Sequence, residues 1–416
     1  MPIIPVIWFS LLALWFYRKE KRIGIATTLT MFYLVSAVCG FYIDKYDLYG
    51  LYGVADKVVS MQGTILYCIG LTVLLYPFQY LRISSESKLQ IDKPVLFKVM
   101  GYFMIVCFII FLINQGSAIR DASVKDFSEV KADHYDDLNF AQDGGSQSII
   151  FTIAGVVSSA WSLCLLMWFV SITFMRNNIF LNIGLLICSL QHVLQGVLIA
   201  GRAAILYWVV CFICYMVIFY HLMENKLKRR LGIGTAILGG CFVLFFLAIT
   251  ISRFEDSLDN GVTHSLIAYA GQPYNNFCAI YENAENLPFA TDRIFPIYNK
   301  YIMGHGQVHL MVYYDKITSI IGIPVNCFYT FMGGLLLNVG FWGILFALFV
   351  YYTCAYKTIM ATHNEFTFYN LILMSLLVLV PIQGMFDLPF PYVSDSLVIF
   401  FTIGVFILFK YTIKKS

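Results

Sequence analysis

The sequence predicts an all-α integral membrane protein with about eleven spans and one long outer loop. Three observations carry this. Of its 416 residues, 60% are hydrophobic and only 12% charged, with a mean hydropathy of +0.76; a soluble chain carries about twice that share of charge. The apolar residues fall into runs near the length a helix needs to cross the hydrocarbon core, about 20 residues. Lys and Arg then cluster in alternate connections between those runs, as the positive-inside rule requires of a multi-pass chain.

In chain order, the apolar runs are Ile3 to Tyr17, Gly24 to Ile43, Gly63 to Leu81, Phe97 to Ile113, Ile149 to Phe174 and Ile179 to Ala200. They continue with Ala203 to His221, Leu231 to Ile251, Leu335 to Tyr356, Phe368 to Gln383 and Leu397 to Phe409. Arg18, Lys19, Lys21 and Arg22 follow the first run. A cleavable signal carries its positive charge before the apolar core, so this run is expected to stay as the first span. Many of the 28 Tyr and 37 Phe sit near run ends, where amphipathic rings favour the headgroup level.

Most of the 27 Lys and Arg lie after odd-numbered runs, in groups such as Arg82, Lys88, Lys93 and Lys98, or Lys226, Lys228, Arg229 and Arg230. Those connections are expected in the cytoplasm, with the amino terminus outside and the carboxyl terminus (Lys410, Lys414, Lys415) inside. Residues 1–251 thus hold eight spans with a smaller outer loop at 114–148, residues 252–334 a long outer loop, and residues 335–416 three further spans. The stretch Ile317 to Tyr356 has only Asn326 and Asn338 as strongly polar residues. One span preceded by an interfacial or re-entrant stretch keeps the terminal lysines inside, whereas two spans would put them outside.

The same map excludes several functions. Cytoplasmic connections are too short for a nucleotide-binding domain, and no P-loop or GxGxxG sequence occurs. No basic domain points to nucleic acid. The eleven Cys are scattered; Cys211 and Cys214 come nearest to a ligand pair but lie in an apolar run, where they read as small buried residues. No metal or cofactor is expected. What soluble mass there is faces outward, and long loops carry function more often than tight connectors.

Candidate residues follow from that bias. In the sixth run, Gln191, Gln195 and Arg202 fall within about 40° of one another at about 100° per residue, whereas His192 points away as a packing residue. Polar groups in a membrane helix face a bundle interior or a wet cavity; interhelical hydrogen bonds and a snorkelling arginine give the plainer reading. Arg253 stands at the outer end of the eighth run, beside Glu255 and Asp256. Two arginines at an outer rim run against the charge bias. A phosphate or diphosphate matches a guanidinium fork, and a local pair with the neighbouring acids is the alternative. Further on come Tyr269, Gln272, Tyr274, Asn275, Asn276 and Tyr281, aromatic and amide side chains that suit sugars or a membrane interface. Arg293 and His305 follow, the histidine between Gly304 and Gly306. His305, Asp315, Glu282 and Asp256 are the candidate general bases.

Three short segments give the chain a family likeness: Ala200-Gly201-Arg202-Ala203-Ala204, the stretch Tyr269 to Phe277, and the Gly-rich Tyr329 to Gly343. They resemble motifs of the Wzy-type O-antigen or oligosaccharide repeat-unit polymerases, in motif over the carboxyl-terminal half and in layout over the whole chain. Many family members carry an acid where this chain has Asn338 before Val339 and Gly340. The resemblance implies a membrane-embedded, GT-C-like, metal-independent inverting glycosyltransferase without cofactor in the bacterial inner membrane. Its substrate would be an undecaprenyl-pyrophosphate-linked oligosaccharide at the periplasmic face. Arg202, Arg253 and Arg293 would grip the diphosphate, one candidate base would deprotonate the acceptor, and Tyr269 to Tyr281 would hold sugars. Membrane lipids, and a flippase and chain-length regulator of the same pathway, are the implied partners. O-antigen ligase is the nearest rival, but His305 and His309 lack the Asn, Ser or Gln that follows the ligase histidine. A lipid-linked oligosaccharide flippase is a second rival, opposed by the absence of repeated halves. A membrane acyltransferase is a third, without any HxxxD sequence.

Overall fold

The structure is a computed structural model. It describes all residues except 59, 82, 84–87, 126–128, 131–147, 176–177, 200, 255–260, 285–293, 295–296, 305–309, 326 and 412–416. At 121–123, 238, 241–242, 245–246, 249–250, 252–254, 261 and 310–311 the description extends to the backbone alone. The described chain is helical, and no strand occurs among the described residues. Its helices are α1 (Ile3–Glu20), α2 (Ile25–Tyr46), α3 (Met61–Leu75), α4 (Pro94–Asn114), α5 (Gly116–Val124), α6 (Ile149–Ser159), α7 (Trp161–Val170) and α8 (Ile179–Ser189). They continue as α9 (Gln191–Leu198), α10 (Ala203–Phe219), α11 (Asn225–Phe254), α12 (Gly261–Asn283), α13 (Leu310–Ile321), α14 (Thr330–Asn364), α15 (Phe368–Gln383) and α16 (Val393–Tyr411).

Among the described residues, seven helical segments are long and apolar enough to cross a membrane, and the bent pair α6–α7 makes an eighth if it is one span. The chain is therefore a multi-pass membrane protein. Three of the expected runs fall outside that set. α1 ends in Arg18, Lys19 and Glu20. α15 has 16 residues, about 24 Å at 1.5 Å per residue, shorter than a hydrocarbon core of about 30 Å. α11 has 30 residues, opens with four cations, Lys226, Lys228, Arg229 and Arg230, and is described in its apolar part partly by backbone alone.

The chain forms two compact units. The first comprises Met1–Leu81, Phe254–Lys357 and Leu379–Val393. Here α1, α2 and α3 pack together through Phe9, Tyr33 and Tyr67, all fully buried. α12 lies across α2 and against α3. Gly271 makes the α2 crossing close: a Cβ there would stand 2.5 Å from the backbone of Cys39 and Gly40. The stretch read from sequence as a loop at 252–334 thus includes a 23-residue helix. Its apolar residues Ala268, Phe277, Ala279 and Ile280 are buried, which repays its packing into the unit. The amino-terminal part of α14 is buried from Phe331 to Asn338, and the helix breaks at Gly340, where φ is 66°.

The second unit comprises Arg82–Arg253, Thr358–Val378 and Ser394–Ser416. α7 is its central element, with every residue buried. It packs on α8 and α10, and Phe169 stacks on Phe219 at 5.7 Å between ring centroids. α6 leaves α7 at 55° and runs along α4, while α5 and α10 flank α9. Of the 114–148 loop, Asp133, Asp136, Asp137 and Asp143 lie outside the described residues.

Candidate functional site

Two places gather the polar side chains singled out by the sequence, one in each unit. In the second unit, α8 ends at Ser189 and α9 begins at Gln191. α9 is followed by a turn in which Gly201 N–H donates to Gly196 O at 2.7 Å and Ile199 N–H to the same oxygen at 3.3 Å. Gly196 is required there, because a Cβ would stand 2.6 Å from that of Ala204. Arg202 follows this turn as the residue preceding α10. The expectation that Gln191, Gln195 and Arg202 share one helical face is therefore corrected: the helix stops before Arg202, and periodicity does not continue through a turn.

Arg202 itself is 4% exposed. A guanidinium leaves water only against compensating partners. The amino terminus of α10 adds the positive end of a helix dipole at the same point, and such ends favour anions. Gln191 is fully buried, its Nε2 donating to Ser159 Oγ at 3.5 Å, whereas Gln195, one turn on, is exposed. His192 is sandwiched between the rings of Trp161 at 5.0 Å and Tyr207 at 5.9 Å. It is a packing residue.

In the first unit, the segment Tyr269 to Phe277 is the middle of α12. Tyr269 packs edge-on against Phe328 at 5.0 Å and beside Phe386 at 5.7 Å. Gln272 Nε2 donates to Tyr269 O at 3.4 Å, and Asn275 Nδ2 to Gly271 O at 3.4 Å. The Tyr274 hydroxyl shares a hydrogen bond of 2.9 Å with Thr64 Oγ1 on α3. All four side chains are buried. Their chemistry is that of an interior polar seam, and none presents an open face to a ligand in this conformation.

Asn276, expected from sequence among the sugar-compatible amides, instead ties the region together. Its Nδ2 donates to Gly53 O at 2.9 Å, Phe328 O at 2.8 Å and Cys327 Sγ at 3.0 Å, and its Oδ1 accepts from Ala55 N–H at 2.8 Å. Above it, Lys57 bridges Asp44 at 2.5 Å and the Tyr49 hydroxyl donates to the same carboxylate at 3.1 Å. The hydrogen bond to Asp44 raises the pKa of the exposed Lys57 ammonium.

The α3–α12 seam reaches the surface at its far end. Ser60 caps α3 by accepting from Gly63 N–H at 2.9 Å, and its hydroxyl donates to Glu282 Oε1. Beside it the Tyr281 hydroxyl donates to Gln62 Oε1 at 3.4 Å. Ser60 is buried, while Glu282 and Gln62 are exposed.

Of the other candidate bases, Asp315 is exposed on α13. Asp256, Arg293 and His305 lie outside the described residues, and of Arg253 only the backbone, in the last turn of α11, is described. No cluster of metal-ligating side chains occurs among the described residues. In comparisons with known proteins, no family model, no curated protein and no solved structure matches the chain.

Proposed function

We propose that this chain is a polymerase of lipid-linked oligosaccharide repeat units, working at the outer face of a bacterial inner membrane. In this reading α1, α11 and α15 also cross the bilayer, giving about eleven spans with the amino terminus outside and the carboxyl terminus inside. The observation that carries it is Arg202, a buried guanidinium at the amino terminus of an apolar helix. That pairing of charge and dipole suits a diphosphate leaving group. Arg253 and Arg293 are the further cations of the same role. The acceptor hydroxyl attacks the anomeric carbon of the donor, the bond from that carbon to the phosphate oxygen breaks, and the lipid diphosphate departs. The hydroxyl proton passes to a carboxylate or imidazole acting as general base. Cations that stabilise the departing diphosphate lower the barrier most.

The test is the length of surface glycan in cells deleted for the gene and complemented with variants. Arg202→Ala is expected to leave single repeat units on the acceptor at normal protein level, with long chains reduced by about a hundredfold or more. Arg202→Lys keeps the charge but not the fork and is expected to recover part of the product. A normal ladder in both variants would defeat the reading. Long chains stranded on the lipid carrier in the deletion strain would point instead to a ligase.

A further inference from the structure

We propose that Gln62, Tyr281 and Glu282, at the exposed end of the α3–α12 seam, form a subsite for the hydroxyl groups of an acceptor saccharide. The proposal rests on the polymerase reading for the origin of the saccharide, but its geometry lies within one unit.

Of the sugar-compatible residues expected from sequence, Tyr269 to Tyr281, those from Tyr269 to Asn276 are consumed by internal packing. The same helix carries the pattern onward to its end, where it emerges. Glu282 accepts from Ser60 through Oε1, and the residue is exposed. Ser60 is 2% exposed and is fixed by its own bond to Gly63 N–H, so it holds the carboxylate in one orientation. An ionised carboxylate is an acceptor only; it pairs with ligands that bring donors, and adjacent sugar hydroxyls do so. Gln62 adds an amide, whose Oε1 accepts from Tyr281 and whose Nε2 remains a donor. The Tyr281 ring, held against Phe277 at 6.3 Å, supplies an apolar face for the C–H side of a pyranose. Donor, acceptor and ring face stand on the first turn of α3 and the last turn of α12, two packed helices, which is a preorganised set. An interhelical tie alone would need only Ser60 and Glu282. The Tyr281–Gln62 bond adds a second, longer tie at 3.4 Å, and on exposed groups such ties contribute little.

The experiment uses the full chain in lipid nanodiscs and, as probe, the repeat-unit oligosaccharide released by mild acid from the host cell's own surface glycan. Binding is followed by saturation-transfer NMR. Glu282→Gln and Tyr281→Ala are each expected to weaken binding by about tenfold, the loss of one charge-assisted hydrogen bond or of the ring contact. Ser60→Ala is expected to weaken it less, and Ser60→Thr, which keeps the hydroxyl, to restore it. Thr263→Ala, at an exposed position near the other end of α12, serves as the unaffected control. Unchanged binding in both Glu282→Gln and Tyr281→Ala, or no saturable binding to the native chain, overturns the subsite. The glycan ladder of Arg202→Ala cells separates the two readings. A normal ladder with weakened oligosaccharide binding in the variants keeps the subsite and removes the polymerase. A lost ladder with unchanged binding does the reverse.

Discussion

Asn276 shows how much one amide can carry when every polar atom is used. Its four bonds join α12 to the Gly53–Ala55 turn and to Cys327–Phe328, and Gly53 adopts φ 82° to bring its carbonyl there. Removing a buried partner costs the desolvation of every group left behind. Asn276→Ala strands Ala55 N–H and the two carbonyls, and is expected to cost about 2–4 kcal/mol, read as a drop in detergent-solubilised melting temperature. Asn276→Asp is expected to be at least as severe, since it replaces the donor with an oxygen facing two carbonyl oxygens. Packing around Cys327 gives a second readout at the same place. Burial pushes its thiol up to about 12, so it stays protonated through neutral pH and loses its proton only as pH rises through that value. Reaction with maleimide at pH 7, which requires thiolate, is expected to be slow in the native chain and faster by about tenfold or more in Asn276→Ala. Equal labelling rates would show that Asn276 does not hold this loop closed.

At the level of elements, glycine decides which helices may touch. Gly271 on α12 meets α2 so closely that a Cβ would fall 2.5 Å from the backbone at Cys39 and Gly40, with Cys39 O at 2.8 Å. Backbone cannot rotate away as a flexible side chain can, so Gly271→Ala must separate the helices. Overpacking of this kind costs about 1–3 kcal/mol. Gly155 on α6 has open space around its would-be Cβ, and Gly155→Ala is expected to stabilise by up to about 1 kcal/mol through helix propensity. Opposite signs in a thermal melt would establish the crossing; matching signs would refute it. The crossing also explains why α12 was illegible as a buried helix. Its sequence, with Pro273 inside and amides at Gln272, Asn275 and Asn276, reads as a polar outer loop when polarity is counted. Each amide is satisfied by a partner distant in sequence or by its own helix, and no local pattern announces that. Likewise, 3.6-residue periodicity failed at Arg202, because the Gly196–Gly201 turn resets the phase. Membrane character was legible from the start, since it depends on composition alone.

For the whole molecule, charge gives the number of bilayer crossings a testable form. The cations that follow α1, those that precede α4 and those that open α11 belong to one face if α1, α11 and α15 are spans. On the same condition the Asp44–Lys57 connection and α13 belong to the other. Because each added span inverts everything after it, three positions discriminate the counts. Asp56, Lys226 and Lys410 are exposed, so single cysteines there should be reachable from whichever side they face, in a background with the exposed Cys354 replaced. With about eleven spans, Asp56→Cys is expected to react with a membrane-impermeant maleimide in intact spheroplasts, whereas Lys226→Cys and Lys410→Cys react only after lysis. Labelling of Lys410→Cys in intact spheroplasts would mean an odd error in the number of crossings after α11, with the broken α14 or the short α15 as its source. Labelling of Lys226→Cys would invert the frame at Arg202 itself. A guanidinium on the cytoplasmic side cannot meet a donor presented outside, and the polymerase reading would fall with it.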